Sequence, residues 1–125
     1  MQRHTKQRVA IESAIGESGR PLSPAEILQA ARATVPSLNL ATVYRTLKRL
    51  GEAGEVTVIQ IPGEAPRYNL YHEEERHHHH FRCNKCGGVF CMEGCVEGLK
   101  TLLPDGFRMT GHDILLYGLC PACSA

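Results

Sequence analysis

Apolar residues recur with the helical period through the first fifty positions and then switch to the two-residue period of strands. From Gln2 to Ser18, Ala10, Ile11, Ala14 and Ile15 fall at i, i+1, i+4 and i+5. This spacing predicts a helix with one apolar side, ended by Gly16, Gly19 and Pro21. Ser23-Pro24-Ala25-Glu26 predicts the start of a second helix: serine accepts from free amides, proline suits the first turn, and glutamate three residues on completes a capping box. Ile27, Leu28 and Ala31 form its apolar side, and Val35-Pro36 stops it. Asn39 is a good N-cap for a third helix. Val43, Leu47 and Leu50 make its inward face, Thr42, Arg45, Lys48 and Arg49 are expected to look away, and Gly51 and Gly54 bracket its end.

Past Gly54, Val56, Val58 and the run 59–61 predict a strand, Pro62-Gly63-Glu64-Ala65 a turn, and Arg67-Tyr68-Asn69-Leu70-Tyr71 the return strand. Three helices and then a hairpin is the order of a winged helix-turn-helix, with the third helix for the major groove and the hairpin as wing. Residues 72–76, with Glu73-Glu74-Glu75 inside, show no apolar period and read as a linker. Residues 81–83 and 89–91 predict strands flanking a turn, and 96–103 a short helix stopped by Pro104-Asp105-Gly106. Residues 107–109 and 113–117 predict two more strands. The expected fold is α+β: a winged helix-turn-helix over 1–71, a linker and His-rich metal-sensing segment over 72–80, and a small α/β domain over 81–125.

A chain of 125 residues suits one compact domain or two very small ones, and the latter need a metal or dimerisation to supplement a small core. No apolar run approaches the roughly 20 residues of a membrane span, so no membrane partner is expected. The net charge of +1 is unevenly placed: residues 1–60 carry eight Lys/Arg against five Asp/Glu, and residues 61–125 six against eight. All six cysteines and six of the seven histidines lie in the second part. A mildly basic, cysteine-free half is joined to a half rich in metal ligands.

Cys83-Asn84-Lys85-Cys86 and Cys120-Pro121-Ala122-Cys123 are two C-x2-C pairs with 33 residues between them. Soft sulfur in that spacing matches a tetrahedral four-thiolate zinc site. Two disulfides in a small secreted domain is the competing reading. Against it, no signal-peptide pattern opens the sequence, and C-x2-C cysteines bridge metals more often than each other. The expected setting is reducing and cytoplasmic. Directly before the first pair stand His77, His78, His79 and His80. In an extended segment His78 and His80 serve one face, His77 and His79 the other. Imidazole suits zinc, iron, manganese, copper and nickel, so the tract indicates a metal without choosing one. Ligation needs neutral imidazole, so occupancy should fall on acidification. His112 is a further ligand candidate. Cys91 and Cys95 are not needed for the four-thiolate site; burial as small apolar side chains, ligation and redox chemistry all stay open. On the third helix, Arg45, Lys48 and Arg49 are placed to neutralise phosphates, and Arg45 or Thr42 to reach base edges. A solvated helix face competes with that reading, because +3 is a weak field.

Several motifs together resemble the ferric uptake regulator family. Arg3-His4-Thr5-Lys6-Gln7-Arg8 is similar to its entry motif, and residues 37–47, Ser-Leu-Asn-Leu-Ala-Thr-Val-Tyr-Arg-Thr-Leu, to its recognition helix. Pro66-Arg67-Tyr68-Asn69-Leu70, the His tract, Cys83-x2-Cys86-Gly87 and Tyr117-Gly118-Leu119-Cys120-x2-Cys123 follow in the family's order over nearly the whole chain. The resemblance implies a homodimeric, metal-responsive repressor that binds double-stranded operator DNA, with a C-terminal dimerisation domain. DNA contacts are then expected from Arg8, Thr42, Tyr44, Arg45 and Arg49. Cys83, Cys86, Cys120 and Cys123 match the family's structural zinc ligands. His78 and His80 match two ligands of a regulatory site between the domains. His77, His79 and His112 match a second site, which Glu97 joins if one residue is deleted between Cys91 and Val96.

Three departures bear on the metal. Where the family often has a histidine just before the second helix, this sequence has Arg20 or Pro21. The acidic residue near the end of the wing is Asn69, and the acidic position five residues after the second knuckle cysteine is Cys91. Thiolate in place of carboxylate softens the regulatory site and favours zinc over iron or manganese. His72 or one of Glu73, Glu74 and Glu75 is the expected replacement ligand. A zinc-responsive repressor is the first expectation, an iron, manganese or peroxide sensor on the same scaffold the alternative. A metal-dependent enzyme is remote, because the strongest site is already closed by four thiolates and no nucleophile–base pair stands out.

Overall fold

The computed structural model describes residues 2–70, 79–92, 94 and 96–125, and its chain divides into two compact units at residue 72. In the first, helices α1 (Gln2–Ser18), α2 (Pro24–Ala31) and α3 (Leu40–Glu52) lead into strands β1 (Val56–Ile59) and β2 (Arg67–Leu70). Ile11 and Ile15 of α1, Ile27 of α2, Val43, Leu47 and Leu50 of α3, and Leu38 before it, all fully or nearly fully buried, form its core. The caps are those the sequence predicts. Ser23 Oγ accepts from the Glu26 N–H at 3.3 Å while Glu26 Oε1 accepts from the Ser23 N–H at 3.0 Å. Asn39 Oδ1 accepts from the Thr42 N–H at 2.9 Å. The far end of α3 is a Schellman turn: the Glu55 N–H reaches the Leu50 carbonyl at 2.8 Å and the Gly54 N–H the Gly51 carbonyl at 3.1 Å. Gly54 takes the left-handed conformation this requires, φ 74°.

Strands β1 and β2 pair antiparallel, Val56 opposite Leu70 and Ile59 opposite Arg67, and form the wing. The wing is fastened to the helices twice. Leu22 and Tyr68 exchange both backbone hydrogen bonds, at 3.0 and 2.7 Å. The largely buried Arg67 donates through Nη1 to Glu26 Oε1 at 2.6 Å and through Nη2 to Glu64 Oε1 at 3.2 Å. The carboxylate that completes the capping box of α2 therefore also anchors the wing.

The second unit holds β3 (His79–Cys83), β4 (Val89–Met92) and β5 (Leu115–Gly118) in the order β4-β3-β5, with β3 antiparallel to β4 and parallel to β5. A single 3-10 turn, Leu99–Leu102, and the short α4 (Pro121–Ser124) are its helical parts among the described residues. Two expectations fail here. The helix over 96–103 shrinks to that 3-10 turn, because Gly98 enters it at φ 85°, outside helical space. Residues 107–109 form no strand: both sides of β3 are taken by β4 and β5, and Phe107 lies two-thirds exposed. The last strand is shifted from 113–117 to Leu115–Gly118, and β3 begins at His79, so His79 and His80 belong to the sheet.

Replacing Arg67 by Ala should strip the wing of its anchor and strand two carboxylates. Because Glu26 and Glu64 keep partial access to water, the expected cost is about 1–3 kcal/mol, read as a lower urea midpoint. An unchanged midpoint would show that the Leu22–Tyr68 pairing holds the wing by itself.

Candidate metal centre and nucleic-acid interface

Three structural facts bring the four knuckle cysteines together. β3 ends at Cys83; the tight turn after it, with Gly87 at φ 75°, folds Cys86 back; and the parallel register Cys83 opposite Gly118 delivers Cys120 alongside. Glycine at 118 eases that register, since a Cβ there would meet Phe81 Cζ at 3.1 Å and the ring would have to shift. All four Sγ atoms lie within 4.8 Å of one another, and Cys86 Sγ sits 3.8 Å from Cys120 Sγ. A tetrahedron of Zn–S bonds of about 2.3 Å has edges of about 3.8 Å, whereas a disulfide needs about 2.05 Å. The geometry is that of a metal site. Among the described residues it is the one cluster of three or more such ligands.

The surroundings prepare the sulfurs for a cation. Backbone N–H groups of Cys86 and Cys120 each donate to Cys83 Sγ at 3.4 Å, and that of Gly88 to Cys86 Sγ at 3.4 Å. The two donors on Cys83 lower its thiol to about 5, so it is a thiolate at neutral pH. Cys123 is pushed up to about 12, first by its contact with Cys120 and then by burial. A divalent metal would replace the remaining thiol protons, so its affinity falls with falling pH.

The histidines divide by face. His79 is buried; its Nδ1 accepts from the Ile114 N–H at 3.1 Å, and its ring centroid lies 5.2 Å from that of His112. His80, half-buried, stands directly opposite the half-buried Cys91 in the β3–β4 ladder. Glu97 is exposed ahead of the 3-10 turn and completes no three-ligand cluster with His79 and His112. His72, His77, His78 and Cys95 lie outside the described residues.

On α3, Tyr44, Arg45, Lys48 and Arg49 face outward as expected. Thr42 does not. It is buried, 8 % exposed, lines a cleft with Thr46 and Leu50 beside Thr5 and Arg8 of α1, and its Oγ1 accepts from Arg45 Nη2 at 3.0 Å. Thr42 therefore orients Arg45 instead of reaching outward. Arg8 of α1 is exposed, but its Nε meets Glu12 at 2.9 Å and its Nη2 meets Glu55 at 2.7 Å, which raises its pKa. Across the helix, burial first and the nearby Tyr44 second raise the Tyr68 phenol, so the wing offers a neutral hydroxyl. Sequence reasoning missed the roles of Glu55 and Arg67, because each depends on a partner more than forty positions away, Arg8 at 47 and Glu26 at 41.

A winged helix with an outward cationic helix, followed by a sheet closed by four thiols, defines a class: transcription regulators that bind DNA and metal, not enzymes. Residues 2–117 match the model of the ferric uptake regulator family, and the chain belongs to that family of metal-responsive transcriptional regulators. It is 34 % identical over 127 residues to the ferric uptake regulation protein of Campylobacter jejuni, covering 98 % of this chain and 80 % of that one. The solved structure of the Helicobacter pylori ferric uptake regulator, described with three functional metal-binding sites, matches with a TM-score of 0.71 at 26 % identity, over 96 % of this chain and 81 % of that one. A zinc uptake regulator solved in complex with zinc and DNA matches with a TM-score of 0.60 at 28 % identity, over 94 % and 81 %.

Stripping metal with a strong chelator should melt the sheet of β3, β4 and β5 while leaving α1 to α3 folded. In NMR spectra the amide dispersion of residues 79–92 and 115–123 should collapse, with that of residues 5–59 kept. A sheet that survives with no metal bound would refute the structural role.

Proposed function

We propose that this protein is a homodimeric, metal-dependent repressor that binds double-stranded operator DNA, senses zinc and controls metal-uptake genes in the cytoplasm. Cys83, Cys86, Cys120 and Cys123 hold a structural zinc ion. Residues 72–78 supply the link to the sensory site, with His72 and His78 joining His80 and Cys91 as its ligands. The choice of zinc rests on one observation, the cross-strand pair of His80 and Cys91. Directly opposed residues on an antiparallel ladder have Cβ atoms about 5 Å apart, within reach of one ion. A site of imidazole and thiolate is soft, and softness favours zinc over iron or manganese.

Arg45, Lys48 and Arg49 contact phosphates or base edges, with Tyr44 beside them and Thr42 setting the Arg45 rotamer. The zinc uptake regulator complexed with zinc and DNA supports this partner. Dimerisation is supported by β5, an edge strand among the described residues whose Leu116 and Tyr117 are half exposed, and by the exposed Leu102 and Phe107. An open edge strand flanked by apolar side chains calls for a second copy. The sensory ion acts by linkage: it binds the DNA-competent conformation more tightly, and a coupling of about 1–3 kcal/mol amounts to roughly 5–150-fold in DNA affinity.

A second reading keeps the scaffold and changes the metal. The 34 % identical relative from Campylobacter jejuni is a ferric uptake regulation protein, which favours iron. With either metal, the second site that the family resemblance implies draws on His77, His79 and His112, with Glu97 joining only if one residue is deleted between Cys91 and Val96; the His79 and His112 rings are neighbours.

Operator duplexes selected from a random pool on zinc-loaded protein decide between the two. Anaerobic titration with Zn²⁺, Mn²⁺ and Fe²⁺ should give binding at the lowest free concentration with zinc, insensitive to peroxide, and His72→Ala should raise the zinc requirement. Activation by iron at lower concentration would favour the second reading. Binding that ignores the sensory metal altogether would remove both.

A further inference from the structure

Arg8, Arg45 and Arg49 line one cleft of about 200 Å³ between α1 and α3, together with Thr5, Thr42 and Thr46. Three guanidiniums and three hydroxyls around an open cleft form a seat for an anion, and in a DNA-binding unit that anion is a backbone phosphate. Yet Arg8 is not presented to the cleft as a lone cation. Its Nε and Nη2, the edge that grips an oxyanion in bidentate fashion, are divided between Glu12 and Glu55 at 2.9 and 2.7 Å. One guanidinium between two carboxylates carries a net charge of −1, so this corner of the cleft repels phosphate.

The position of Glu55 is built into the fold. Its N–H closes the Schellman turn on Leu50, and Gly54 beside it holds the left-handed φ of 74° that aims the chain back toward α1. The carboxylate thus sits at a fixed point where α3 ends, 47 residues along the chain from the arginine it meets. Both partners are about half exposed. Exposed ion pairs contribute only about 0–1 kcal/mol to stability, so the pairing does little for the fold while changing the charge offered to DNA.

We propose that Glu55 is an affinity brake: it occupies Arg8, withholds one phosphate contact per protomer, and thereby limits the sequence-independent part of DNA binding. This rests on the DNA-binding reading above. It also gives the brake a use. Sequence-independent binding comes from phosphate neutralisation, and a regulator that held every duplex tightly would lose discrimination.

The test uses the full-length zinc-loaded protein and a 30-base-pair duplex of arbitrary sequence, with binding followed by fluorescence anisotropy across a salt series. Glu55→Gln should tighten binding at low salt by about 3–10-fold and steepen the plot of log affinity against log salt by about 0.9 per protomer engaged. In an Arg8→Gln background the same substitution should leave the salt slope unchanged and give only the small gain of removing one exposed negative charge. A gain of undiminished size in that background would mean simple loss of a negative charge and would overturn the brake, as would an unchanged slope in the single variant. Urea midpoints within error of the parent protein confirm that the exposed substitution leaves the fold intact. If the parent protein binds no duplex at any salt, the DNA-binding reading falls and the brake with it; if it binds and Glu55→Gln matches it, the brake alone falls.

Discussion

Residues 79–125 have almost no apolar interior, and that lack makes the contact among four sulfurs the interaction on which this half depends. Among its described residues only His79, Cys83, Gly88, Val89 and Cys120 are buried, and two of these are members of the cluster. Burial at about 25 cal/mol per Å² cannot hold so small a sheet against chain entropy, whereas a bound metal contributes its binding free energy to folding directly. Cluster and sheet also specify each other. Parallel pairing of β3 with β5 brings Cys120 beside Cys83, and closing the cluster fixes that register, since a shift of one residue would turn every β5 side chain to the other face.

The first unit is stabilised in the ordinary way, by a packed helical core and capped helix ends. Its economy lies in residues that serve two structures at once. Glu26 completes the capping box and receives Arg67 from the wing; Glu55 closes the end of α3 with its amide and meets Arg8 with its carboxylate. Thr42 lies in the seam with α1 and holds Arg45. Each couples an outward-facing side chain or the wing to the packing beneath it, so if that surface binds DNA as proposed, changes in the supporting residues will be felt in binding as well as in stability.

Features set by local rules were legible in the sequence. The capping box at Ser23, the N-cap at Asn39, the wing hairpin and the C-x2-C spacing depend on residues close together or on ligand chemistry with few solutions. What misled was apolar patterning in the second unit. Residues 96–103 and 107–109 carry apolar side chains in plausible periods, but no core exists there to receive them: Val96, Leu102 and Phe107 are all more than half exposed. Periodicity reports which face seeks cover, not whether the cover comes from the same chain. Thr42 failed for a different reason. Its position on the helical wheel is marginal, and tertiary packing around α3 decides that it is covered.

The His tract shows how a sheet can sort identical ligands. Side chains alternate along β3, so His79 turns inward to the Ile114 amide and His80 turns toward Cys91. An imidazole that accepts at Nδ1 carries its proton on Nε2. For His79 to ligate through Nε2 that proton must leave, and to ligate through Nδ1 the bond to Ile114 must break; either route costs roughly the value of a buried hydrogen bond, about 0.5–1.5 kcal/mol, before any metal is held. The cross-strand pair of His80 and Cys91 combines imidazole with a thiol, a softer donor set than imidazole alone. Under the proposed function the His80–Cys91 face does the sensing, and His79 supports the strand that presents it.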